Sequence, residues 1–361
     1  MTICAPNPFG CCGGSRLLKG GYSYWPLWWY GQRDELPDMS GHGVTLYPSG
    51  AYFDGQGYYF DGSDDYLIDD DGRKVLQDGT KGSWHSIYLT EGAVPAKGSV
   101  WGTGTHLWMN YSGISPKITG KIVLRPEYCP NLIDLRCNNN NISVLDISNL
   151  TSLNTLYCSS NNISVLDVGN LTSLNTLYCY NNNISALDVG NLTSLTRLNC
   201  NINNISVLDV GNLTSLFDLQ CRDNNISVLD VGNLTQLKYL YCYNNPISIL
   251  DVSALTQMKE LLCFNTNISV LDVSAMTQLV HLWCYDNDIS LLDVSAASTL
   301  KYLYCQNNSM DQSMVDTVLC DMDSHGTSGG TLNISGNEEP SATGVACKDN
   351  LVARGWSVTT D

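Results

Sequence analysis

Leu153-Asn154-Thr155-Leu156-Tyr157-Cys158-Ser159-Ser160-Asn161-Asn162-Ile163-Ser164-Val165-Leu166-Asp167-Val168-Gly169-Asn170-Leu171-Thr172 is one copy of a frame that the chain repeats. Written generally it is L-x-x-L-x-C-x-x-N-x-I-S-x-L-D-V-x-x-L-T. Its cysteine recurs every 21 residues, at Cys137, Cys158, Cys179, Cys200, Cys221, Cys242, Cys263, Cys284 and Cys305. A unit this short cannot bury its apolar face alone, so successive copies must stack into a continuous core.

The period and the leucine spacing resemble those of leucine-rich repeat proteins. That resemblance implies a solenoid in which L-x-x-L-x-C forms a short parallel strand with leucines and cysteine inward. The I-S-x-L-D-V segment closes the convex side without room for a long helix. The fold class expected is mainly β: a solenoid with little convex helix, a β-rich N-terminal domain and a small α/β C-terminal cap. A half-repeat begins the array, since Leu124 aligns with Leu145 and Leu132 with Leu153. The divisions expected are an N-terminal arm over 1–15, a β-rich anchoring domain over 16–120, the solenoid over 121–308 and the cap over 309–361.

Nine of the 15 cysteines fill a core position of the repeat and read as small buried hydrophobes. Bridges between neighbouring rungs would strain side-by-side strands. Cys129 falls where the half-repeat would place leucine and reads as core too. Cys4, Cys11 and Cys12 lack the second pair that a metal site needs, and Cys320 and Cys347 are left without a role. Asn-x-Ser/Thr triplets recur with the repeat, so they follow from the frame. Glycans on every rung would crowd at a spacing of about 4.8 Å. The reading is a prokaryotic or viral protein that folds in a reducing cytosol.

Two polar ladders run with the frame. Asn140, Asn161, Asn182, Asn203, Asn224, Asn245, Asn287 and Asn308 sit where a side-chain amide can bond the backbone of adjacent rungs, and Thr266 is the one break. Asp146, Asp167, Asp188, Asp209, Asp230, Asp251, Asp272 and Asp293 read as acceptors for backbone N–H groups of their own turns. A row of cations there would need several more oxygens per ion.

Residues 1–120 differ in composition, with short aromatic runs broken by Gly and Asp, as in Tyr58-Tyr59-Phe60-Asp61-Gly62. This predicts a compact, turn-rich β domain. Tyr24-Trp25-Pro26-Leu27, Asp38-Met39-Ser40-Gly41-His42-Gly43 and Tyr59-Phe60-Asp61-Gly62-Ser63-Asp64-Asp65-Tyr66-Leu67 resemble the opening of laminin-G or concanavalin-like domains of bacterial and phage proteins. After residue 309, Met314, Val315, Val318, Leu319 and Met322 have helical spacing. A strand and turn over Thr331–Asn337, a helix over Ser341–Arg354 and a strand at Trp356–Thr360 follow. The ending from Gly355 to Asp361 resembles the G-W-x-V-x-x-D cap of bacterial and phage leucine-rich proteins.

On a strand L-x-x-L-x-C the x residues face outward. Tyr157, Tyr178, Tyr241, Trp283 and Tyr304 precede the cysteine; Tyr180, Tyr243, Phe264 and Tyr285 follow it; Tyr239, His281 and Tyr302 lie two before it. These twelve are the candidate binding residues, concentrated on rungs six to nine beside Lys238, Lys259, Glu260 and Lys301. Tyr and Trp offer large rigid area with a polar handle, which suits a protein or carbohydrate partner. Mutual stacking that stabilises the sheet is the competing reading. Variation from rung to rung favours recognition.

A formal charge of -17 argues against nucleic acid or an anionic membrane as partner. No apolar run is long enough to span a bilayer, and the start of the chain lacks the pattern of a secretory signal. The five histidines have no paired metal-ligand spacing, and no phosphate loop, nucleophile elbow or zinc-protease motif occurs. No metal, cofactor or catalytic residue is expected, although two carboxylates brought together in space could still make a glycan depolymerase. The functional expectation is a bacteriophage virion component, a tail fibre or surface spike. Its solenoid would bind a host-surface glycan or protein, its N-terminal domain would bind virion proteins, and the chain could self-associate. The alternatives are a bacterial surface adhesin of internalin type, placed on the cell surface, and an architectural virion decoration protein.

Overall fold

A computed structural model describes residues 131–361 continuously, residues 119–124, and short strands between Tyr47 and Trp108. The expected arm and Cys4, Cys11, Cys12 and Cys129 lie outside the described residues, as does most of the expected β-rich domain. Within it, Tyr52–Phe53 pairs antiparallel with Tyr58–Phe60, and Tyr47–Ser49 with Tyr66–Ile68.

The repeat frame becomes strands of three residues: Asp134–Arg136, Thr155–Tyr157, Thr176–Tyr178, Arg197–Asn199, Asp218–Gln220, Tyr239–Tyr241, Glu260–Leu262, His281–Trp283 and Tyr302–Tyr304, here rungs one to nine. Each pairs in parallel with the next, residue for residue along the repeat. The sheet has 12 strands, because Gly330–Asn333 and Trp356–Thr359 extend one edge and His106–Trp108 the other. His106–Trp108 thus joins the solenoid sheet from before the expected start at 121. Thr119–Val123 pairs in parallel with Asn141–Asp146 on the back of the first rung, but Ile122, not Leu124 as expected, stands opposite Leu145, and a register shift between Ile142 and Val144 offsets the strands.

The central leucine of each rung strand is buried, and all nine repeat cysteines are free thiols fully shielded from solvent. Burial disfavours the thiolate, pushing the Cys137 and Cys242 thiols up to about 12. The core thiols therefore act as small apolar side chains.

The asparagine ladder closes the backbone. Asn203 donates from Nδ2 to the carbonyls of Cys200 (3.0 Å), Asn201 (3.2 Å) and, one rung earlier, Cys179 (3.1 Å), and its Oδ1 accepts from Ile184 N–H at 3.0 Å. The Asn201 carbonyl also accepts Asn181 N–H at 2.8 Å, but the Cys179 and Cys200 carbonyls rely on such amides, which supply what the ladder lacks. At the break, Thr266 Oγ1 reaches only the Cys263 carbonyl (3.0 Å) and Asn287 Oδ1 (2.5 Å). Six of the eight Asp of the other ladder behave as expected: Gly190, Gly211, Gly232, Ser253, Ser274 and Ser295 each donate N–H to the Asp two residues earlier, while Asp146 accepts the Ser148 hydroxyl at 3.3 Å.

The turn residue two after each cysteine has positive φ, from Asn139 (63°) to Asn307 (53°). Asn and Asp tolerate this region and hold most of the positions. Ile202 (53°) is β-branched and pays steric strain there.

The cap consists of α1 (Gln312–Ser324) and α2 (Ala342–Ala353) packed on each other, with α2 against the last strand, Trp356–Thr359, and α1 against Leu291–Asp293. Asp311 caps α1 by accepting from Met314 N–H at 2.8 Å, and Ser341 caps α2 by accepting from Thr343 N–H at 3.1 Å. Val315, Val318, Leu319 and Met322 cover the open end of the core. A disulfide joins Cys320 of α1 to Cys347 of α2. The bond gives a role to two cysteines that the sequence reading left without one.

Candidate functional site

The strand face carries three columns of side chains, at the first and third strand positions and just after the cysteine. The twelve candidate residues all lie on it, and eleven are half-buried, with Tyr302 slightly more exposed. They do not form one continuous patch. Tyr157 and Tyr178 stack at 4.8 Å on rungs two and three, with the Arg136 guanidinium 4.9 Å from the Tyr157 ring. Rungs four and five break the aromatic run with Arg197, Asn199, Asp218, Gln220 and Arg222.

The larger group spans rungs six to nine. Phe264 is sandwiched between Tyr243 (4.1 Å) and Tyr285 (4.3 Å), both nearly parallel to it. Trp283 tilts against Phe264 at 6.3 Å and meets Tyr304 edge-on at 5.3 Å. His281 stacks on Tyr302 at 4.5 Å. Tyr180, Tyr239 and Tyr241 join no ring pair among the described residues. The rings of these pairs stack on one another, as the competing reading expects, and stacking consumes their faces. What the surface offers outward is ring edges and hydroxyls.

The polar centre is a feature that sequence reasoning missed. Tyr241 donates its hydroxyl to Glu260 Oε2 at 2.5 Å. Burial, then that bond and the Glu260 charge, hold the Tyr241 hydroxyl well above the usual phenol range. Gln220 donates to Asp218 Oδ1 at 3.1 Å while its own oxygen accepts from Asn199 at 2.9 Å. Burial raises the Asp218 carboxyl above its ordinary value; the Gln220 bond and Arg197 oppose the rise without cancelling it. Outward residues spaced at 21 carry this signal, but pairing them requires knowing the register.

Two polar atoms on this face are buried with no partner, Trp283 Nε1 and Gln306 Oε1, on rungs eight and nine. Each such atom costs about 1–3 kcal/mol, so a native surface that keeps them calls for an explanation. Among the described residues no group of three or more His, Cys, Asp or Glu could hold a metal ion. No helix among them is long and apolar enough to cross a membrane.

A family model described as Mycoplasma protein of unknown function, DUF285, matches residues 133–241, 193–283 and 212–319. These overlapping matches are what a repeat produces in shifted register, and together they span over half of the chain. No curated protein matches. Among solved structures, the functional domain of InlJ from Listeria monocytogenes, described as including a cysteine ladder, is 28% identical with a TM-score of 0.41, over 66% of this chain and 66% of that one. A leucine-rich repeat protein of Leptospira interrogans is 22% identical with a TM-score of 0.53, over 68% and 70%. YopM, a leucine-rich effector protein from Yersinia pestis, is 20% identical with a TM-score of 0.51, over 64% and 61%. The last two share the solenoid fold.

Proposed function

We propose, for a leucine-rich repeat chain that belongs to the DUF285 family, a non-enzymatic role in adhesion, with rungs six to nine recognising a surface receptor. The observation that carries this reading is the unpaired Trp283 Nε1 and Gln306 Oε1 within an aromatic cluster that differs from rung to rung. A partner that shifts the rings and supplies one acceptor and one donor would relieve both atoms. Ring faces already covered by neighbours leave little platform for a sugar to stack on, which favours a protein receptor over a glycan.

The finer assignment is a bacteriophage virion component, a tail fibre or surface spike, anchored through residues N-terminal to the solenoid. It rests on the resemblance of the N-terminal stretch and of the Gly355–Asp361 ending to phage proteins. The Cys320–Cys347 disulfide also suits an extracellular destination, and it equally favours the second reading, an adhesin on a bacterial surface.

The test is attachment of the fluorescently labelled full-length chain to a panel of bacterial cells. Saturable binding displaced by unlabelled chain, and abolished by protease treatment of the cells, is expected. Attachment that survives protease but is lost after glycan stripping would replace the protein receptor with a glycan. Absence of saturable attachment to every strain would refute adhesion.

A further inference from the structure

The back of the solenoid carries an apolar stripe that the core does not need. The x of I-S-x-L-D points into solvent; after Val144, and with Ala186 between the first two, it is Val165, Val207, Val228, Ile249, Val270 and Leu291. Their exposures are 72%, 73%, 74%, 78%, 58% and 53%, far above what a buried frame residue shows. Scattered exposed apolar residues need no explanation, but a contiguous row is an interaction surface.

The stripe lies between two polar ladders. Along each rung the exposed order is Ser, the apolar residue, then Asp, as in Ser206, Val207, Asp209 and Ser227, Val228, Asp230. Among the described residues the hydroxyls of Ser206 and Ser227 have no partner. The neighbouring carboxylates each spend one oxygen on a turn N–H, Asp209 on Gly211 and Asp230 on Gly232. The second oxygen is left to accept.

From this arrangement we infer that the back face is a homodimer interface, with two chains parallel and in register about a two-fold axis along the solenoid. A half-turn about that axis keeps the rung direction and exchanges the two sides of the stripe. The apolar row then meets itself, and the Ser ladder of each chain meets the Asp ladder of the other, hydroxyl donor to carboxylate acceptor. A two-fold axis across the rod would make the chains antiparallel and set Asp against Asp.

Pitch supports the match. The back also pairs as parallel strands, Val270–Asp272 with Leu291–Asp293 residue for residue. Those two rungs repeat at about 4.8 Å, and a parallel copy of the chain carries the same rung spacing at every step. A strip of roughly 30 Å by 15 Å on each partner buries roughly 1,000 Å² in total, the lower end for a specific interface. The dimer is accordingly reversible. Added salt strengthens it by screening two chains of charge -17.

The test is sedimentation equilibrium of the full-length chain across the micromolar range at low and high salt. It is paired with oxidative cross-linking of single Val165→Cys and Ile249→Cys variants. The buried repeat thiols stay silent, and the unaltered chain controls for the remaining cysteines. A salt-strengthened dimer is expected, weakened at least tenfold in Val228→Lys with an unchanged circular dichroism spectrum. Both cysteine variants should cross-link to themselves, because in-register parallel chains place every rung against its own copy. A chain that sediments as a monomer at all concentrations overturns the inference, as does a dimer indifferent to Val228→Lys. Self-cross-linking at only one of the two rungs overturns the parallel register.

Discussion

The interior of the solenoid and its strand face repeat on the same period but use it in opposite ways. Inside, nearly every rung carries the same Leu, Cys and Asn, and each amide closes the same set of backbone bonds, as Asn161, Asn182 and Asn224 do. On the strand face the same column runs from Arg136 through Tyr157, Asn199 and Gln220 to Trp283. A ladder that stabilises by repetition gains nothing from variety, and a surface that recognises a partner gains nothing from uniformity. Stability is concentrated in the interior, and the face is free to differ.

The sharpest way to break this contrast is inside. Asn203→Ala should leave the Cys179 and Cys200 carbonyls and the Ile184 N–H short of partners. It should cost about 3 kcal/mol or more in urea unfolding. A cost near zero would mean that water replaces the amide. Where the interior departs from its own rule, repair should stabilise. Thr266→Asn restores donors toward the Cys242 and Cys263 carbonyls and an acceptor for Ile247 N–H, with an expected gain of about 1 kcal/mol in the same assay. Ile202→Asn removes a β-branched side chain from positive φ, with an expected gain of about 1 kcal/mol.

The smallest effect lies on the face. The Asp218 carboxyl is held above its ordinary value of 3.8, chiefly by burial. The folded chain therefore binds more protons than the unfolded one between those two values, and stability falls as pH rises through that window. Asp218→Asn should flatten this part of the pH–stability curve and slightly stabilise the chain at neutral pH. An unchanged curve would mean that the carboxylate is solvated in the folded chain.

Most of the scaffold is legible in the sequence because the frame is periodic. The inward leucines and cysteines, the Asn ladder with its gap at Thr266, the Asx turns of the Asp ladder and the two cap helices all follow from local spacing. The Cys320–Cys347 bond was not legible, since two cysteines 27 residues apart acquire proximity only when α1 and α2 pack together. The strand face was legible as a list of outward aromatics but not as a pattern of contacts. Whether Phe264 sandwiches between Tyr243 and Tyr285, or whether Tyr241 finds Glu260, depends on rotamers across rungs. The exposed back stripe was hidden by its regularity, because a near-constant Val reads as framework until its solvent exposure is known.

The most direct test of the division between interior and face measures one chain in two assays. Trp283→Ala and Tyr157→Ala are compared with the unaltered protein for urea unfolding and for saturable attachment to cells. The account predicts that Trp283→Ala weakens attachment at least tenfold while shifting stability by no more than about 1 kcal/mol, and that Tyr157→Ala leaves attachment unchanged within the same stability limit. Attachment of Trp283→Ala with undiminished affinity, or a loss of binding matched by a loss of folding, would contradict it.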